Sequence, residues 1–320
     1  MKAPAVDPTG ASAPRPTPCA LGFASIVALV ALGVVSAVEA GAEPLQTAPP
    51  VVAPKARPMP PADRTVRRVR GEEPSKKRAA SQVVRRLDKS EDRIEGGLHW
   101  RIKTEEGAVH VWVPGNYDRA TAGTVVYVHG YYTDADGAWR DHRLARQFRV
   151  SRQNAIFIVP DAPAGNGEQV RWPALTDLRK AVTRANIRLP DGPTIVMGHS
   201  GAFRTVMKWV DHRLVQQVIL LDALYGGEHA FDDFIASGNR ADHHKLIVIG
   251  SDTAQASESF VKTYPFAVAR ETMPASSGGF SKREKRAKLL YVRSQYGHMQ
   301  IVTSGKVIPV LLRLTPLAAL

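Results

Sequence analysis

The sequence predicts an α/β fold: a doubly wound, mostly parallel sheet with helices on both faces and little or no lid domain. Short, unbroken apolar runs recur along the chain at 124–128, 155–159, 193–197, 218–221, 246–249 and 289–292. A parallel strand is covered on both faces, so it reads as a continuous apolar run and not as an alternation. Between the runs lie helix-length stretches with apolar stripes. Leu175, Leu178, Val182 and Ile187 approximate one helical face, as do Phe203, Val206, Met207 and Val210. Between these two stripes, Gly198-His199-Ser200-Gly201-Ala202 joins an apolar run to the second of them in the tightest strand-to-helix turn of the chain.

Taken in order, the N-terminus has the makings of a targeting segment. Lys2 and Arg15 precede an apolar run from Cys19 to Val38, and Ala40-Gly41-Ala42 supplies small residues at a cleavage site. Residues 1–42 are therefore expected to be a signal peptide cleaved after Ala42. The alternative is an uncleaved membrane anchor, since the run approaches bilayer-spanning length. Either leaves the domain outside the cytoplasm, periplasmic or secreted. Cys19 begins the run instead of ending it, which fits a lipoprotein poorly. It is also the only cysteine, so a disulfide, a thiolate nucleophile and a cysteine-ligated zinc are excluded from the domain.

Residues 43–95 turn to Pro, Ala and charge, with a dense run of arginine and lysine from Arg64 to Arg86. Too little apolar surface is present to offset ordering entropy. A disordered basic linker is expected there, carrying part of the formal net charge of +13. It could tether the chain to an anionic envelope polymer or a lipid surface. Nucleic acid is not an expected partner, because no recognition fold accompanies the charge.

Residues 96–320 are expected to form the domain, opening on an antiparallel hairpin of residues 99–102 and 109–113 around Glu105-Glu106-Gly107. No large insertion separates the later strands, and the Pro/Ser/Gly stretch 274–280 reads as a mobile flap. Hydrophobic residues make up 44% of the chain, enough for a sizeable core.

Serine is a poor nucleophile unless lifted clear of the sheet, beside a base and backbone N–H donors. A tight turn between strand and helix does this, provided the residues two before and two after the serine are small; Gly198 and Ala202 qualify. His129-Gly130 follows an earlier apolar run, candidate aspartates follow later ones, and His298 follows the last. With these residues in this order the chain, from roughly Gly97 onward, resembles the α/β-hydrolase superfamily, including secreted bacterial members with Gly-His-Ser-Gly-Ala and Leu-Asp-Ala-Leu-Tyr-Gly segments. The resemblance implies Ser200 as nucleophile, His298 as general base and acid, an aspartate orienting it, and an oxyanion hole from the N–H groups of Tyr131 and Gly201. It implies no metal and no organic cofactor. His129, an alternative base, fits loop-shaping better.

Two aspartates compete for the third role. Asp252 follows the strand after which the superfamily usually carries its acid. Asp222 ends a run that stays apolar beyond it, through Ala223-Leu224, where a buried carboxylate would need a partner such as an imidazolium. Asp222 is preferred, with Asp252 held as the alternative. Tyr132, Trp172 and Tyr225 are candidate substrate-pocket residues. His243-His244 point opposite ways on an extended chain and do not make a metal site. The function expected is a serine hydrolase acting on an ester or, less readily, an amide. The competing expectation is a catalytically silent hydrolase fold that binds envelope polymers.

Overall fold

The computed structural model describes residues 87–238 and 243–320. The expected signal peptide, residues 43–86 of the expected linker and Asp242 lie outside the described residues. No helix among the described residues is long and apolar enough to cross a membrane.

Ten strands make one sheet: β1 (Lys89–Ile94), β2 (Gly97–Thr104), β3 (Gly107–Val113), β4 (Gly123–Val128), β5 (Ala155–Pro160), β6 (Thr194–His199), β7 (Val215–Leu221), β8 (Lys245–Gly250), β9 (Val268–Arg270) and β10 (Leu289–Arg293). Their spatial order is β1-β2-β3-β5-β4-β6-β7-β8-β10-β9. The first three run antiparallel to their neighbours, and every pair from β5 to β9 is parallel.

Nine helices connect them: α1 (Ala135–Asp141), α2 (Leu144–Ser151), α3 (Leu175–Arg184), α4 (Phe203–Trp209), α5 (Asp232–Ala236), α6 (Ala254–Lys262), α7 (Lys282–Arg286), α8 (His298–Thr303) and α9 (Ile308–Leu312), counted among the described residues. Successive side chains of each central strand go to opposite faces. Val126, Val196, Val218 and Val248 pack with α3 and α4 in one core, while Val125, Ile195, Ile219 and Ile249 pack with α2 and α9 in another. The unbroken apolar runs are thus two interleaved half-patterns, one for each face.

From β4 the chain moves outward to β5, then crosses back over β4 to β6 on its other side. Strand order reverses at β4, and the crevice beyond the carboxyl ends of such strands is where open α/β sheets bind ligands. The segment after β4 and the segment after β6 both open into that crevice.

Two expectations need correction. The linker does not run to Glu95, because Lys89–Ile94 pairs with β2 along its whole length. A polar segment can still satisfy its backbone at a sheet edge, where charged side chains face water. Asp92 also accepts from His99 at 2.6 Å, and Trp112 Nε1–H donates to the Ile94 carbonyl at 2.9 Å. The stretch 274–280, expected to be a flap, is docked at both ends: Met273 and Phe280 are buried, and Gln295 bonds both backbone groups of Met273.

Candidate active site

Ser200 sits between β6 and α4 with φ of 53°, a left-handed conformation that costs a non-glycine residue about 1–3 kcal/mol. The strain lifts the hydroxyl off the end of the sheet. The turn is tight enough that a Cβ at Gly198 would fall 2.7 Å from Val206 Cγ2 and 3.3 Å from the Ala202 Cβ. Because position 198 has no Cβ, alanine fits at position 202, and its side chain is buried in the core. Gly130 meets a second close approach: a Cβ there would lie 2.7 Å from that of Ser200. The segment after β4 can approach the serine only because residue 130 is glycine.

That segment is held by its own His129 and by Arg204 and Asp161 from elsewhere in the chain. His129 is fully buried; its Nδ1–H donates to the Gly130 carbonyl at 2.7 Å, and its Nε2 accepts from the Ala162 N–H at 2.9 Å. Both ring nitrogens are therefore committed to loop backbone, which leaves His129 no role as a base. Fixing the Gly130 carbonyl also fixes the trans peptide it belongs to, so the Tyr131 N–H is turned to the opposite side. The next N–H, that of Tyr132, is bonded to the Ala164 carbonyl at 2.8 Å. Arg204, four residues after the nucleophile, donates to the Tyr131 hydroxyl at 3.1 Å and to the Asn166 and Glu168 carbonyls at 2.9 and 2.7 Å. Asp161 accepts from the Ala135 N–H at 3.0 Å and from Arg171 at 3.2 Å. Gly201 lies in the 3-10 turn that opens the helix, where the first N–H groups have no intrahelical partner.

His298 starts α8 just beyond β10, and its Nδ1–H donates to Asp222 Oδ2 at 2.6 Å. Its ring lies 4.6 Å, centroid to centroid, from that of His199, whose Nε2–H donates to the His298 carbonyl at 3.3 Å. The residue before Ser200 thus supports His298 with its side chain. Burial, with the neighbouring His298 and His142, lowers the His199 pKa to about 3. His199 is accordingly a neutral support, while the hydrogen bond to Asp222 raises His298 above its ordinary value against the pull of burial.

Asp222 is fully buried, with φ of 49°. Burial alone would raise its pKa, but the hydrogen bonds from His298, Ser251 and Thr253 outweigh it and hold the carboxyl well below the usual carboxylate range. The Ser251, Asp252 and Thr253 N–H groups donate at 2.8, 3.1 and 2.9 Å, and the Thr253 hydroxyl at 2.7 Å. Asp252 lies across from it with its carboxylate 4.0 Å from His298 Nδ1 and 65% exposed. Of the two candidate aspartates, Asp222 is the one hydrogen-bonded to His298. His298, Asp222 and Asp252 are close enough together to suggest a cation site. The donor set argues otherwise, because His298 Nδ1 and both Asp222 oxygens already share hydrogen bonds with one another or with N–H groups.

Among the expected pocket residues, Tyr132 is almost wholly exposed and Tyr225 half-exposed. The Tyr225 pKa is raised by burial and by the Asp222 charge. Trp172 is a correction. It is 3% exposed, packs in the core against α3 and α4, and accepts the Trp209 Nε1–H on its carbonyl at 2.8 Å. An aromatic residue in a loop can equally be the plug that seals a core, and nothing local in the sequence separates the two. Thr253 and Arg204 were missed for a related reason: their partners lie tens of residues away.

No protein-family model matches the chain, and no curated protein matches it. Among solved structures it is similar to an S-formylglutathione hydrolase from Agrobacterium tumefaciens, at 14% identity over 72% of this chain and 96% of that one, with a TM-score of 0.40. It is also similar to the feruloyl esterase module from Clostridium thermocellum, at 14% identity over 70% and 87%, TM-score 0.44. A third is Est1E from Butyrivibrio proteoclasticus, at 14% identity over 71% and 98%, TM-score 0.40.

Proposed function

We propose that the protein is a serine hydrolase cleaving carboxylic esters, and amides less readily, through an acyl-enzyme. The observation that carries this is the 2.6 Å hydrogen bond from His298 to the buried Asp222, with His298 packed near His199, the residue before a serine held at φ of 53°. In this reading Ser200 Oγ attacks the substrate carbonyl carbon as His298 Nε2 takes its proton. The tetrahedral oxyanion is received by the Tyr131 and Gly201 N–H groups, a preorganised interaction of about 3–4 kcal/mol for each donor. His298 then returns the proton to the departing alkoxide, and a water, deprotonated by the same nitrogen, releases the acyl group. Asp222 keeps Nδ1 protonated so that Nε2 is free to accept, and it stabilises the imidazolium that forms. Tyr132, Tyr225 and the half-exposed Met299 offer an open, amphipathic rim for an acyl or aryl group.

Export, with cleavage after Ala42, is part of the proposal and rests on the sequence of the first 42 residues. N-terminal sequencing of secreted protein that found Met1 intact would remove the cleavage. The chemistry is tested by labelling the full chain with a fluorophosphonate and measuring turnover on a panel of aryl esters and anilides. Ser200 is expected to be labelled, and Ser200→Ala to fold and to lose both labelling and turnover. Retention of wild-type turnover on every accepted substrate by Ser200→Ala would overturn the assignment.

A further inference from the structure

The opposite edge of the sheet carries a second concave site. Ser200 and Asp222 follow the carboxyl ends of β6 and β7. The segments that enter β4, β6 and β7 meet at the amino ends, around a cleft of about 850 Å³. Its walls are basic. Arg119 comes from the loop before β4, Arg179, Lys180 and Arg184 from α3, Arg188 from the loop before β6, and Arg213 from the loop before β7. Leu189 and Leu214 form an apolar part of the lining.

Charge on a surface is ordinarily balanced by carboxylates nearby, and here Asp177 and Asp191 balance it only in part. Among the described residues the ion pair at the cleft is Lys180 to Asp177 at 3.2 Å, and none of the five guanidinium groups has a carboxylate within ion-pair distance. Asp118, beside Arg119, spends its two oxygens on the Ala120 N–H and the Thr121 hydroxyl. A cation near the last turn of a helix would account for Arg184 through the helix dipole. It does not account for Arg119 or Arg213, which arrive from separate loops. Burial lowers Arg179, with the Asp191 carboxylate opposing it more than the Arg213 charge adds to it, and burial with the Arg179 and Arg213 charges lowers His212, also in the lining.

From this we infer that the cleft is a binding site for a multiply charged oxyanion, a ligand bearing clustered phosphate or sulfate groups. Guanidinium forks bind such groups in bidentate fashion, and several converging forks favour adjacent anionic centres over a single one. The volume is that of a small-molecule site. The lining residues named here come from outside the expected basic linker, and the site is independent of the hydrolase chemistry.

The test uses the full chain, so that the basic residues before Leu87 contribute equally throughout. Tripolyphosphate, sulfate, and phosphatidylglycerol vesicles are each titrated against it. Site-specific phenylglyoxal modification of each arginine is followed by mass spectrometry. Tripolyphosphate is expected to bind saturably and to protect Arg179, Arg184, Arg188 and Arg213 ahead of arginines elsewhere. The double variant Arg184→Gln/Arg213→Gln should weaken binding by about tenfold or more, the equivalent of one charge-assisted hydrogen bond. Lys282→Gln/Arg283→Gln, which removes the same charge from exposed positions on α7, should leave binding unchanged. All four substitutions should leave ester turnover intact, which reports that the domain is folded. Sulfate protecting the same arginines would support a general oxyanion site. Equal weakening by the two double variants, uniform protection of all arginines, or protection by the vesicles alone would overturn the proposal.

Discussion

The ends of β7 and β8 each carry an aspartate beside His298, and they differ in almost everything else. Asp222 is buried, left-handed at φ of 49°, and bonded by three backbone N–H groups, a hydroxyl and the imidazole. Asp252 is mostly exposed and stands 4.0 Å from the ring. Its main service to the site is its backbone N–H, which donates to Asp222. The loop after β8 thus supplies the seat, and the strand beside it supplies the charge. A carboxylate is set to orient a histidine by the donors that immobilise it, because proximity in water leaves both partners free to turn away.

The sharpest way to break this comparison is kinetic. Asp222→Asn is expected to lower kcat by about four orders of magnitude, since the amide can no longer hold the reactive tautomer. Asp252→Asn should stay within about threefold of the parent, as for an exposed charge. Steady-state rates on a small soluble ester decide it, and the reverse pattern would exchange the two roles.

Stability should separate them next. Asp222→Ala leaves three buried N–H groups without an acceptor and is expected to cost about 3 kcal/mol in denaturant unfolding; Asp252→Ala should cost under about 0.5 kcal/mol. The pH dependence has a defined sign. Asp222 has a depressed folded pKa, so its contribution is complete above the ordinary carboxylate value of 3.8 and is lost as pH falls through the folded value. The difference in stability between the parent and Asp222→Asn should therefore shrink in strong acid.

A finer comparison uses the acid limb of kcat/KM. His298 must be neutral to accept the serine proton, and its pKa is raised above 6.5, chiefly by the hydrogen bond to Asp222. Activity should fall as pH drops through that raised value. Residual activity of Asp222→Asn should persist to lower pH, because the imidazolium has lost its partner; Asp252→Asn should shift the limb in the same direction but less. An unmoved limb in Asp222→Asn would detach the carboxylate from the histidine. The smallest expected effect is that of Thr253→Val, which removes one donor to Asp222 and should cost about 1 kcal/mol of stability with a loss of kcat under about tenfold.

Much of this architecture was legible in the chain. A parallel strand buried on both faces has to be apolar throughout, so the six central strands stood out as runs. A strand-to-helix turn around a nucleophile has to have small neighbours, so Gly198, Ser200 and Ala202 stood out as a group. The edge strands did not: β1 is charged and β9 has three residues, and what makes them strands is backbone pairing with β2 and β10, to which side chains contribute little.

By itself, then, the sequence determined the layering of the domain, the tight turn that carries Ser200 and the order in which Ser200, Asp222 and His298 follow their strands, because each is dictated by local sterics or by burial along a short segment. Only the tertiary structure decided which carboxylate faces His298, that His129 and Arg204 brace the segment carrying Tyr131, and that Trp172 seals the core instead of meeting substrate. Those outcomes depend on which segments end side by side. Asp222 meets the 251–253 loop because β7 and β8 are neighbours in register, and Arg204 on α4 meets Asn166 in the segment after β5. Hydrogen bonds between groups tens of residues apart leave no periodicity, spacing or composition in the chain that could announce them.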